Sequence, residues 1–223
     1  MRIGGLSLLV QRAADRVASP EVQRYRRAIT LGALREDVTY IPGTPKPFEH
    51  LSFSHFWGPE RRGGFVPFWP GAPEAADRWF REAVQRYLAG DAPGGFVTLG
   101  RAAHLLADMA CPVHVHRVVH SAGDGYEWFV EAHGDELAAL PVPPPPRATT
   151  ASQLVESLAR FTHRFPADRT QHPLGRWLVR RGLARQLRQD EIRQAAKAII
   201  PVAIAHMVAL LELYAAKVDR AAA

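Results

Sequence analysis

The chain has 223 residues and a mass of 24.7 kDa, room for one ordinary domain with a sizeable core. With 47% hydrophobic and 22% charged residues and a mean hydropathy of -0.15, the composition excludes a disordered chain and an integral membrane protein. One Cys against ten His excludes a disulfide framework and a Cys-rich zinc ribbon, so a metal here would be held by imidazole and carboxylate. The formal net charge is +6, and apart from Lys46, Lys197 and Lys217 every basic side chain is Arg. An arginine surface suits phosphate, and it is also what a GC-rich coding sequence produces.

Helical periodicity runs through most of the chain, and no sustained alternation marks a sheet. Residues 3–17 predict an amphipathic helix. Ser19, Pro20 and Glu21 then form a cap with Pro at the first helical position, opening a second helix through about Leu31. The first ten residues carry one positive charge and a short apolar run without a small-residue cleavage site. The chain as written therefore reads as cytoplasmic, or as secreted if an export signal has been removed. Between Asp37 and Pro73, Pro42, Pro45, Pro47, Pro59, Pro67 and Pro70 forbid a long helix. They leave a folded loop that carries Phe56, Trp57, Phe65, Phe68 and Trp69.

Helices are expected again over residues 73–89, 95–111, 126–140, 150–165, 174–187 and 190–216, with the prolines of 141–146 as a rigid connector. The apolar run 195–216 is interrupted by Lys197, Pro201, His206 and Glu212, which argues for a buried helix kinked at Pro201 rather than a bilayer span. The expected architecture is all-α: residues 1–223 as a single compact multi-helix domain with one long Pro- and aromatic-rich loop.

Seven of the ten His fall between residues 50 and 133. His104 and Asp108 are four apart on one helix, so their side chains stack on one face and can grip a single cation. The plainer alternative is a core histidine that Asp108 merely orients. Pro112 ends that helix and frees His114 from helical phase, so His114 can serve a second cation beside the first. Asp124 and Glu127, three apart at the entrance to the next helix, can share that cation with His114. Imidazole and carboxylate in sets of three, leaving positions open to water, is the pattern of a catalytic zinc site, although the same ligands accept iron or manganese.

The run His104-x3-Asp108-x3-Pro112-x-His114 resembles the central motif of the bacterial zinc-dependent phospholipase C family, to which the fungal single-strand-specific nucleases are related. Four further pieces fall in the same order. Leu31-Gly32-Ala33-Leu34-Arg35-Glu36-Asp37 resembles the family segment that ends in a Pro-Asp pair, and Ser54-His55-Phe56-Trp57-Gly58-Pro59-Glu60 resembles its His-Phe-Trp-x-Pro-Asp piece. Ser121-Ala122-Gly123-Asp124-Gly125-Tyr126-Glu127 resembles its Ser-Ala-Gly-His stretch with a following aromatic and Glu. The last helix, with Ala195-Ala196-Lys197, resembles the one that closes the family core.

The resemblance, from about residue 30 to 218, implies His55, His104 and Asp108 as ligands of one zinc and His114 and Glu127 as ligands of a second. It implies Asp37 as the acid that orients or deprotonates the attacking water. Asp124 stands where the family has a second His, which makes it the expected remaining ligand and His120 its competitor. The third zinc of the family uses an amino-terminal Trp and a nearby His. This chain starts Met1-Arg2 and has no His before His50, so two zinc ions are expected and the third site is absent or rebuilt, with His50 as a substitute.

The implied function is a zinc-dependent phosphodiester hydrolase resembling phospholipase C, in which a water activated by two metals attacks the phosphodiester. Its expected partners are a phospholipid or other phosphodiester substrate and a transient membrane-surface contact, with no obligate protein partner. A single-strand nuclease or nucleotidase, acting on nucleic acid, is one alternative. A metal-binding homologue with decayed or recruited activity is another. Cys111 reads as a small buried thiol, His116, His133, His163, His172 and His206 as structural or surface groups, and Arg181, Arg185 and Arg188 as a solvated basic face.

Overall fold

The computed structural model describes residues 1–37, 55–57, 70–118, 124–168, 177, 180–181 and 186–222. Among these the secondary structure is helical throughout. We number the helices α1 (Ile3–Ala14), α2 (Pro20–Asp37), α3 (Ala72–Leu88), α4 (Ala92–Asp108), α5 (Pro112–Val115), α6 (Gly125–Ala132), α7 (Gly134–Ala138), α8 (Ala151–Thr162) and α9 (Gln189–Ala222).

Local chemistry explains where several of them begin. Asp91 Oδ1 accepts the Gly94 N–H at 2.9 Å and Pro93 sits in the first turn of α4, while the Thr150 hydroxyl accepts the Gln153 N–H at the start of α8. Asp124 caps α6 by accepting the Glu127 N–H at 2.8 Å. The helix expected over 126–140 is broken at His133, and α2 runs past Leu31 to Asp37. Helical residues at Trp177 and Arg180 lie in the expected 174–187 helix, most of which falls outside the described residues. Pro201 is carried inside the continuous α9, and residues 141–148 between α7 and α8 carry neither helix nor strand.

Helix α4 is the centre of the packing, lying between α2 and α3, while α9 packs against α1, α8, α6, α3 and α4. Because α4 is covered on several sides, its second half is buried from Ala102 to Asp108. The α2–α4 crossing is closer than a side chain allows: a Cβ on Gly100 would stand 2.2 Å from Ile29 O, and one on Gly32 would stand 1.9 Å from Val97 O. This contact sets the position of His104. Helix α9 is long and apolar enough to cross a membrane, with a mean hydropathy of 1.9 in its most apolar window, but 78% of that window is buried by the other helices. It is placed as a core helix, in line with the sequence expectation.

Candidate metal centre

Asp108 ends α4 with its side chain 1% exposed, and polar groups from four chain segments converge on it. On Oδ2, His55 Nδ1 lies at 2.6 Å and His104 Nε2 at 3.1 Å, and those two ring nitrogens are themselves 3.1 Å apart. On Oδ1, the amino group of Met1 donates at 2.7 Å and His114 Nε2 lies at 3.6 Å. The Met1 ammonium is also 3.1 Å from Glu127 Oε1, and the buried Cys111 Sγ–H points at the same oxygen from 3.5 Å. Among the described residues two groups of three potential ligand atoms result, each within 4.8 Å of one another: His55, His104 and Asp108, and Cys111, His114 and Glu127.

The tautomers follow from the partners of the other ring nitrogens. His104 Nδ1 lies 3.0 Å from the carbonyl oxygen of Ala33 on α2, and His114 Nδ1 lies 3.0 Å from that of His55. A carbonyl can only accept, so each Nδ1 carries the hydrogen and each Nε2 of the neutral ring presents a lone pair toward Asp108. A lone pair facing a carboxylate is repulsive unless a proton or a cation sits between them. Imidazoles anchored through Nδ1–H to backbone carbonyls are the usual outer support of metal-binding histidines, so the residues present fit a metal. Burial alone pushes the Asp108 carboxyl up, but His104 and His114, when a proton rather than a cation stands between Nε2 and the carboxylate, place positive charge against it together with the amino terminus, which outweighs burial and holds it well below the usual range.

His55 is held from outside the helices. The Trp57 N–H donates to His114 O, the Arg117 Nε–H donates to Trp57 O, and the Ala72 N–H donates to Phe56 O, each at 3.3 Å. Residues 55–57 are thereby stitched to α5 and to the start of α3. Arg117 adopts a φ of 53°, a left-handed conformation unusual for a side chain of this size. Trp57 is 7% exposed and packs edge-on against His163, so it is a core residue rather than a substrate surface.

Asp124 is buried beside Glu127. Its Oδ1 is committed to capping α6, and its Oδ2 is buried with no hydrogen-bond partner among the described residues. Burial first, then the charges of Glu127 and Asp168, push the Asp124 carboxyl up to about 7, against the lowering effect of the Glu127 N–H. The Cys111 thiol is likewise pushed well above its ordinary value, by burial first and then by Glu127, Asp108 and Asp124, with the amino terminus opposing.

Two solved structures share this arrangement of helices. Over 97% of this chain, alpha-toxin from Clostridium perfringens, isolated from avian strain SWCP, superposes with a TM-score of 0.62 at 15% identity, and alpha-toxin from Clostridium absonum with a TM-score of 0.68 at 15% identity. The chain has the alpha-toxin fold. It spans 63% and 65% of the lengths of these two chains, less than two thirds of each. No family model and no curated relative matches the sequence.

Within the alpha-toxin fold the structure groups His55, His104 and Asp108, and places His114 and Glu127 together in a second group, while Asp124 is buried beside Glu127 as the cap of α6 without belonging to either group of mutually close atoms. Asp37 is the last residue of α2, one turn beyond Ala33, with its side chain outside the described residues, as are His50 and His120. The sequence reading set aside two groups that belong here. Cys111 is the small buried thiol expected from the sequence and also falls in the second candidate group, which its place three residues after Asp108 already hinted. The Met1 amino group stands between Asp108 and Glu127, a contact that spans the chain and leaves no trace in residue spacing. The remaining described histidines are occupied elsewhere: His116 binds Phe165 O at 2.8 Å and stacks on His163, His133 binds Phe129 O, and His206 binds Val202 O and the Ser157 hydroxyl. Of the basic face, Arg188 pairs with Asp190 and Glu191, and Arg185 lies outside the described residues.

Proposed function

We propose that the chain is a divalent-metal-dependent phosphodiester hydrolase of the phospholipase C type, with zinc as its metal. The observation that carries this reading is the pair of ligand sets meeting at Asp108, with the Nδ1–H of His104 and of His114 each tied to a backbone carbonyl. The motif resemblance and the alpha-toxin fold support it.

His55, His104 and Asp108 would hold one ion, and His114, Glu127 and Asp124 a second. Ions bound there supply Lewis acidity, lowering the pKa of water and offsetting the charge of the phosphoryl oxygens. The chain supplies rigidity and proton management. Backbone carbonyls lock both imidazoles in the lone-pair-inward tautomer, so no reorganisation is needed when charge develops. Asp37, at the end of the helix whose Ala33 carbonyl anchors His104, takes the proton that the attacking water gives up as the phosphorus–oxygen bond to the alcohol breaks. The substrate is a phospholipid, met at a membrane surface. The wild-type chain should carry two zinc ions by elemental analysis and release a chromogenic alcohol from a phosphocholine ester. Digestion of single-stranded DNA without ester cleavage would place it on the nuclease side, and fewer than two ions would remove the reading.

A further inference from the structure

We propose that the second metal of this centre is bound through a thiolate, with Cys111, His114 and Glu127 as ligands and Asp124 Oδ2 as the fourth. The proposal rests on the metal-dependent reading above and adds a ligand class to it. Cys111 is the only cysteine of the chain, is fully buried, and has its sulfur, an imidazole nitrogen and a carboxylate oxygen grouped within 4.8 Å. Zinc–sulfur and zinc–oxygen bonds of about 2.3 and 2.1 Å at a tetrahedral angle put the two ligand atoms about 3.6 Å apart. The observed separation of Cys111 Sγ and Glu127 Oε1 is 3.5 Å.

The second and independent observation is Asp124. Its carboxylate is pinned by the Glu127 N–H through Oδ1, so it cannot turn to satisfy Oδ2, which is left buried next to Glu127 without a partner among the described residues. An orphaned carboxylate oxygen costs free energy unless a cation joins it. The backbone around Cys111 is equally fixed: its N–H donates to Asp108 O at 2.9 Å and its carbonyl accepts the His114 N–H at 3.1 Å. Sulfur and imidazole thus arrive on one rigid turn, while Glu127 and Asp124 arrive on the first turn of α6. One sulfur, one nitrogen and two oxygens select zinc, cobalt or cadmium over magnesium or manganese, because thiolate is a soft ligand. A thiolate and two carboxylates also leave this ion less electrophilic than the one held by His55, His104 and Asp108, dividing the two sites into a more structural and a more reactive one.

The test is cobalt(II) titration of the full chain after chelator treatment, followed by absorbance. The expected result is an intense near-ultraviolet sulfur-to-cobalt charge-transfer band that saturates with one of two bound equivalents, and no other thiol exists to produce it. Cys111→Ser should abolish the band while the visible cobalt bands persist. Asp124→Asn should keep the band and weaken that site about tenfold or more. Two bound cobalt ions with visible bands and no charge-transfer band would overturn the thiolate and leave the metal-dependent reading standing. No bound cobalt would overturn both. Because the decisive signal belongs to the wild-type chain, a variant that fails to fold does not obscure the answer.

Discussion

His104 Nδ1 lies 3.0 Å from the carbonyl oxygen of Ala33, seventy-one residues away in sequence and on a different helix. The hydrogen bond exists because α2 and α4 touch backbone to backbone at Gly32 and Gly100. Gly100→Ala should therefore act twice. Forcing the helices apart should cost about 1–3 kcal/mol of stability by overpacking, read as a lowered thermal midpoint. It should also loosen the Ala33 anchor and weaken metal binding at the His55, His104 and Asp108 set by about tenfold or more, read by competitive chelation.

Asp108 faces both candidate groups, through Oδ2 to His55 and His104 and through Oδ1 toward His114 and the Met1 ammonium. Asp108→Asn should reduce bound metal from two ions to one or none by elemental analysis. In the metal-free chain it should also cost about 3–5 kcal/mol, since the ring nitrogens of His55, His104 and His114 lose the carboxylate that faces them. An unchanged midpoint in urea would contradict the pairing.

The buried Asp124 carboxyl gives the metal-free chain a pH dependence of known sign. Its pKa rises from 3.8 to about 7 on folding, so the native state holds the proton more tightly than the unfolded state. This contribution favours folding fully below about pH 4 and is lost as pH rises through 7, with a slope no steeper than about 1.4 kcal/mol per pH unit. Asp124→Asn, which can still cap α6, should flatten that decline and raise the metal-free melting temperature at pH 8 more than at pH 5.

Metal binding should release protons. Cys111 and Asp124 both hold theirs unusually tightly when no ion is present, and both must give them up to ligate. Calorimetric titrations of zinc in buffers of different ionisation enthalpy should show net release at pH 6.5, reduced in Cys111→Ser and in Asp124→Asn.

Asp37→Asn should abolish turnover and leave the metal content intact. Retained turnover would remove Asp37 as the proton acceptor.

Much of the candidate site was readable from spacing because it is built from short local units. His104 and Asp108 share a helix face, Pro112 turns the chain before His114, and Asp124 and Glu127 open a helix as cap and third residue. The aromatic loop was harder. Composition leaves open whether an aromatic there faces a ligand or a small core, and Trp57 is decided for the core by its burial against His163, a contact with a segment more than a hundred residues away.

The sequence by itself determined the helical class, the approximate place of most helices and the candidacy of His104, Asp108 and His114, since each of these depends on periodicity or capping within a few residues. Tertiary structure alone decided which donors face the same point. It brought His55 onto Asp108, turned Cys111 toward Glu127 and set the Met1 ammonium between the two ligand sets. The physical reason is that a ligand set is a convergence of directions, and those directions are set by how α6 packs on α1 and α9 and how closely α2 packs on α4, down to the absence of a Cβ at Gly32 and Gly100.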